Sequence, residues 1–179
     1  MENISDLRRA LQKCINDSRA HYSIEGLSES GKIREMVKQI DSPFWKELEP
    51  LENFFVFEIS PAVREKAPAP VVVSAYCTAL RELTTDWWGL PAGTPTQSSL
   101  NLMAQPEIQK GLAKLLTDKT SLHYVDGEAR SYSEIYHFEV SDLAAGFLIK
   151  MSGGTYDAYG DVQEREKVKN QLKEKFVNN

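Results

Sequence analysis

Apolar residues recur at helical spacing in almost every stretch of this chain that carries them. Ile4, Leu7, Leu11, Cys14 and Ile15 mark one amphipathic face, and Ile33, Met36, Val37 and Ile40 mark a second beyond a polar turn region at 26–31. Ser42-Pro43 and Ser60-Pro61 each read as an N-cap serine followed by a proline at the first helical position, with Pro50 breaking the first of these short helices. The run Phe54-Phe55-Val56-Phe57 fits a buried strand as well as a helix end, because a short apolar run carries no period. Past the proline-spaced segment 66–70, Val72, Tyr76, Ala79, Leu80, Leu83 and Trp87 resume helical spacing. Pro106-Glu107 opens a further helix with Ile108, Leu112, Leu115 and Leu116 along one side.

The richest pattern lies at 131–179. Ser131 and Glu134 stand at capping-box spacing, so the helix is expected to start there. Tyr136, Val140, Ala144 and Leu148 form one row and Leu143, Phe147 and Met151 a second, an arrangement that needs neighbours on two sides. Gly153-Gly154 supplies a left-handed stop. Asp161 and Glu164 repeat the capping box ahead of a thinner helix, whose Val168, Leu172 and Phe176 are expected to be buried while Arg165, Lys167, Lys169, Lys173 and Lys175 face solvent. Between these helices and the preceding one, Asp126-Gly127 has the signature of a two-residue β-turn and predicts a short hairpin near 122–130. The pattern predicts an all-α or mainly α single domain, built of stacked antiparallel helix pairs with one short β-hairpin and a weak subdivision at 66–70.

The stretch from Pro106 to Asp118, with its leading proline and Leu-x-x-Leu-Leu-x-Asp ending, resembles the second helix of a HEAT-type repeat. The stretch from Val140 to Gly153 resembles the first helix of the next repeat, and the Tyr156-Asp157-Ala158-Tyr159-Gly160 loop with its charged final helix is similar to the closing segment of some bacterial HEAT-like proteins. The resemblance spans 106–179, and residues 119–139 are an insertion relative to the usual short turn. It implies an α-solenoid fragment, a scaffold for binding protein partners. In the sharpest form of that expectation, the chain is an inhibitor or immunity-type protein that masks a basic partner.

Composition narrows the function classes. The 179 residues, 41% hydrophobic with a net charge of −5, suit a folded domain with a substantial core, and no apolar run approaches the length of a membrane span. The first residues lead into an amphipathic helix instead of a signal sequence, so a cytoplasmic protein is expected. Two cysteines are too few for a disulfide framework, and both sit on apolar rows as core thiols. No basic stripe suits nucleic acid. The segment 118–142 carries six acids against Lys119 and Arg130, net −4, and 41–60 carries five against Lys46, also net −4. Charge of one sign steers a partner of the other. The candidate partner-binding residues are therefore Trp88, at the lip of a loop rich in Gly, Pro, Thr and Ser, with Asp118, Asp126, Glu128 and Glu134 on or beside the expected hairpin. No phosphate loop, dinucleotide fingerprint or serine-hydrolase elbow occurs, and neither a cofactor nor a catalytic residue is assigned. The rival class is an enzyme with a His/Glu site, with or without a metal, near His123, Glu134 and His137, since Glu-x-x-His places both side chains on one helix face.

Overall fold

A computed structural model describes residues 4–19, 21, 23–40, 43–125 and 127–177. Ten α-helices occur among them: α1 (Ile4–Asp17), α2 (Ser30–Gln39), α3 (Pro50–Ile59), α4 (Pro61–Lys66), α5 (Ala69–Glu82), α6 (Gln97–Met103), α7 (Ile108–Leu115), α8 (Gly127–Tyr136), α9 (Val140–Met151) and α10 (Val162–Val177). The protein is mainly helical, as its pattern predicts. None of these helices is long and apolar enough to cross a membrane. The chain divides into two compact units, Met1–Ala79 and Leu80–Asn179, and the division falls within α5.

In the first unit α1, α2 and α4 pack on α3. Leu7, Leu11 and Cys14 of α1 and Ile33, Met36 and Val37 of α2 are buried, following the rows read from their spacing. Cys14 lies in this apolar seam, and burial pushes its thiol up to about 11. The ambiguous Phe54 to Phe57 run belongs to α3 and is buried at all four positions, so α3 is apolar all round because neighbours surround it. Pro50 opens α3 and does not end a preceding helix: residues Phe44–Lys46 make only one 3-10 turn, and Ser42 lies outside the described residues. Ser60-Pro61 opens α4 as expected. Glu52 accepts from the Glu49 amide at 2.9 Å, closing the first turn of α3, and lies 3.4 Å from Arg8 of α1.

In the second unit α9 is the core helix, with every residue from Val140 to Leu148 buried, and α7 and α10 pack against it and against each other. Its stop is the predicted one: Gly153 takes φ +77 just past the last turn. Its start is not. The row beginning at Tyr136 and the helix beginning at Ser131 are two helices, α8 and α9, parted at His137, whose φ is +51. The expected hairpin at 122–130 is absent too, and no strand occurs among the described residues, only an isolated antiparallel bridge between Ser121 and Glu139.

The two corrections share a cause. Leu122 N donates to Phe138 O and Val140 N to Thr120 O, so the backbone of 138–140 pairs with 120–122 and cannot continue a helix. The sequence Gly-Glu-Ala-Arg-Ser-Tyr-Ser-Glu-Ile-Tyr between them becomes α8, held by Ser131 Oγ to Gly127 O and by the Arg130–Glu134 pair at i,i+4, and this local support outweighs the turn signal of Asp-Gly.

A third correction concerns α10. Its buried face is Arg165, Lys169 and Leu172, while Val168 is only half-buried, so two cations expected in solvent are in the interior. The Asp161 cap is as predicted, accepting from Glu164 N at 2.8 Å.

Phe147 is fully buried and meets Trp88 edge to face at 6.1 Å. Phe147→Ala should lower the unfolding free energy of the second unit by about 3–5 kcal/mol. Lys173→Ala, at a half-buried position of α10 whose ammonium reaches Asn170 Oδ1 at 3.2 Å in solvent, should stay within about 0.5 kcal/mol of wild type in the same urea titrations. Equal effects would contradict this assignment of the core.

Candidate partner-binding surface

The first turn of α9 places a carboxylate in the interior, and the site is built on it. Asp142, at the third position of α9, accepts from the Glu139 amide at 2.9 Å, as a carboxylate at this position does when it reaches back to the cap. Buried, it demands further partners. Arg165 Nη1 lies 2.7 Å from Oδ2, the Tyr156 hydroxyl donates to Oδ1 at 2.7 Å, and Lys169 Nζ stands 3.3 Å from Oδ1. Lys169 also donates to Ser141 Oγ at 3.0 Å and pairs with Glu139 at 3.3 Å and Glu166 at 2.5 Å. Lys119 closes the outer side, 3.1 Å from Glu139 and 2.6 Å from Glu166. Burial on its own raises the Glu166 carboxyl, but the hydrogen bonds from Lys119 and Lys169 outweigh it and hold that group at about 2. For Tyr156 burial comes first and Asp142 second, and both push the phenol above its ordinary value.

Arg165 carries this network outward. Its Nη2 donates to the Tyr136 carbonyl at the end of α8, and its guanidinium lies over the Phe138 ring, 5.6 Å from the centroid. Tyr136 stacks on Phe138 at 5.8 Å, and Tyr159, from the loop before α10, meets Tyr136 edge-on at 5.1 Å. Tyr132 in turn meets Tyr159 at 5.8 Å. This ladder of rings begins in the core at Phe138 and ends in solvent. Tyr132 is 38% exposed and Tyr159 45%; Ile135 and Val162 on the adjoining helices are 65% and 55% exposed. None of the residues of α8 is buried.

Beside Tyr159 runs a half-open cleft of about 380 Å³, walled by Pro91, Gly93, Pro95 and Tyr156, with Lys150 and Asp157 at its rim. The loop opposite is shaped by Gly89 at φ +68, where a Cβ would stand 1.9 Å from the Thr94 carbonyl oxygen.

The residues singled out by sequence fall differently. Trp88 is fully buried and offers no surface to a partner. Asp118 is half spent on structure, 2.7 Å from Arg81 while its other oxygen accepts from Thr120 N at 3.0 Å. Glu128 and Glu134 are both exposed on α8 near the tyrosines: Glu128 Oε1 accepts from the Tyr132 hydroxyl at 3.3 Å, and Glu134 pairs with Arg130. Asp126 lies outside the described residues. For the rival site, Glu134 is engaged by Arg130, His137 occupies the break after α8, and the carbonyl of His123 accepts from Thr85 N at 2.7 Å. Among the described residues no three His, Cys, Asp or Glu side chains are grouped to hold a metal ion.

Sequence reasoning missed Tyr132, Ile135, Tyr159 and Val162 on the surface and Arg165 and Lys169 beneath it. A signal was present for the cations: Arg165, Lys169, Leu172 and Phe176 share one 4-3-4 row, which marks one helix face whatever the residue types. No protein family, no curated protein and no solved structure matches the chain.

Asp142→Ala leaves Arg165 and Lys169 buried without their central anion and should destabilise the second unit by about 3–5 kcal/mol in denaturant titrations. Glu166 gives a pH-dependent counterpart. Its folded carboxyl lies below the ordinary glutamate value of 4.5, so its contribution is complete above that pH and is lost as pH falls towards about 2. At neutral pH Glu166→Gln should cost roughly 1 kcal/mol, allowing for solvent screening of a group one-third exposed. The gap between variant and wild type should close between pH 4.5 and 2. A gap independent of pH would refute the assignment.

Proposed function

We propose that the second unit is a non-catalytic docking module for a protein partner, and that the partner presents a basic, arginine-bearing segment to the Tyr132–Tyr159 ledge. The carrying observation is that pair of exposed, edge-packed tyrosines held at the end of a buried ionic network. Rigid aromatics give large contact area for little lost side-chain entropy, and such residues dominate the binding energy of protein interfaces. The partner's charge follows from the surroundings. Residues 153–164 contain Asp157, Asp161 and Glu164 and no base, and α8 adds Glu128 and Glu134 against Arg130 alone. An arginine on the partner has a ring to stack on and carboxylates to face.

The packing of α7 and α9, the segments that resemble consecutive HEAT-type helices, supports reading this unit as a fragment of a HEAT-like array that carries α8 as an insertion. An inhibitor or immunity-type role, masking a basic partner, is the most specific form of the proposal.

A photo-crosslinking residue placed at Tyr132 should form a covalent adduct with a second protein in extract of the source cells, whereas the same residue at the exposed Glu174 of α10 should not. Once that partner is purified, Tyr132→Ala should weaken its binding by at least about tenfold, the loss typical of an interface anchor. An adduct at both positions, or an unchanged affinity, would remove the ledge from the interface.

A further inference from the structure

We propose that the cleft beside Tyr159 seats a proline of the partner, carried on an extended segment one turn away from the arginine that reaches the ledge. This rests on the docking reading above and adds a second contact to it. The cleft, of about 380 Å³, continues the ledge, because Tyr159 belongs to both. Its ring lies 5.8 Å from that of Tyr132, and its hydroxyl donates to Ala92 O, in the cleft lining, at 3.4 Å. Tyr156 spends its hydroxyl on Asp142 at 2.7 Å, so what it offers the cleft is its ring. Two glycines of the lining differ in what they permit. At Gly93 a Cβ would stand 2.5 Å from the Gly89 carbonyl oxygen, so the fold of the loop itself demands glycine. At Gly146, inside α9, a Cβ would stand 3.5 Å from Pro91 and 3.9 Å from Tyr156, which are ordinary contact distances. Alanine would fit there and is the better helix former. Packing therefore does not explain Gly146. What glycine preserves is the space between Pro91 and Tyr156 at the floor of the cleft.

The chemistry of the occupant follows from these walls. Tyrosine rings facing prolines suit a residue with an apolar body and no backbone N–H left to satisfy, which is proline. Aromatic-lined grooves take proline-bearing chain in the polyproline II form, which is ordered before it binds and has little entropy left to lose. That helix turns once in about three residues, so an arginine three positions from the proline lies on the same face. Asp157 stands where the two contacts meet: it is at the cleft rim, and its Oδ1 accepts from Tyr159 N at 3.1 Å. Lys150 shares that rim and opposes a second base, so the segment carries a single arginine and not a basic run.

The test titrates the full-length protein, followed by amide NMR, with three capped alanine-based peptides. The first carries arginine and proline three positions apart, the second has that proline replaced by alanine, and the third has the arginine replaced by norleucine. Each is made in both sequence orders, since a polyproline II segment can lie in either direction. The amide peaks of Gly93, Gly146 and Gly154 report the cleft, and those of Tyr132 and Ile135 report the ledge. The first peptide should move both sets saturably. Loss of the proline should weaken binding at least about fivefold and leave the cleft peaks in place. Gly146→Ala should fold as wild type does, weaken the first peptide by a similar factor and leave the second unchanged. Should Tyr132→Ala and the norleucine peptide bind as strongly as their parents while the cleft peaks still move, the ledge reading fails and the proline seat stands. Should the proline and alanine peptides bind alike, with shifts confined to the ledge, the ledge reading stands and the proline seat is overturned. Cleft peaks that no peptide moves in a folded spectrum overturn it as well, as do cleft peaks that shift on dilution of the protein alone, which would give the cleft to a second copy of the chain.

Discussion

The second unit is organised by one buried anion. Asp142 lies in a helix that is apolar on every side, where an ionised carboxylate without partners is strongly unfavourable, and each of its partners fixes a different part of the chain. The Glu139 amide starts α9, Arg165 and Lys169 set the rotation of α10 about its axis, and the Tyr156 hydroxyl anchors the intervening loop. An apolar side chain of similar volume can stabilise a core as well as a buried ion pair does. What it cannot do is choose among rotations of α10. Val168 and Leu172 alone leave that helix free to present several faces, whereas two cations that must both reach the first turn of α9 allow one. The same rotation sends Arg165 Nη2 to the end of α8, so the position of the exposed tyrosines is inherited from the core.

The first unit applies a similar device. Glu52 stands at the third position of its fully apolar helix, bonds back to the cap residue's amide, and takes an arginine from another helix, as Asp142 does. The difference lies in the distances, 3.4 Å from Arg8 to Glu52 against 2.7 Å from Arg165 to Asp142. In both units the helix that is buried all round is the one whose first turn is tied by charge. A helix that is apolar all round carries no amphipathic signal to orient it, so a polar contact at its end has to supply the orientation.

Legibility followed the same division. Where burial is one-sided the period was sufficient: the faces of α1 and α2, the Ser60-Pro61 start, the Gly153 stop and the Asp161 cap are all readable from residue types and spacing. Where burial is all-sided the period vanishes, and Phe54 to Phe57 fits strand and helix alike. The breaks around α8 were hidden for a different reason. The residues that interrupt the helix, 138–140, do so by pairing with 120–122, and such pairing leaves no mark on local spacing. Arg165 and Lys169 were misplaced because residue type was weighed above helix position. Of the site, Glu128 and Glu134 were located on the surface by their charge, and Trp88 was misplaced because an aromatic before a loop packs inward when that loop folds back on it, as the Thr96 N to Trp88 O bond shows.

Those placements also decide what kind of attraction the surface can exert. Of the six acids between 118 and 142, Asp118, Glu134, Glu139 and Asp142 stand in ion pairs within the chain, which removes most of the long-range field that their number suggests. The acids that remain close to the tyrosines, Asp157, Asp161 and Glu164, lie in a segment without bases, and Asp157 and Asp161 already accept backbone hydrogen bonds that hold their carboxylates in place. Held carboxylates beside exposed rings act over a few ångströms, where screening by salt is weak, and not over the Debye length of about 8 Å at physiological ionic strength. On the proposed reading, a surface of this construction would discriminate by the fit of one stacked cation more than by the net charge of the partner. The specificity proposed for it would then depend on how rigidly Tyr132 and Tyr159 are held, which returns the burden to the buried contact between Arg165 and Asp142.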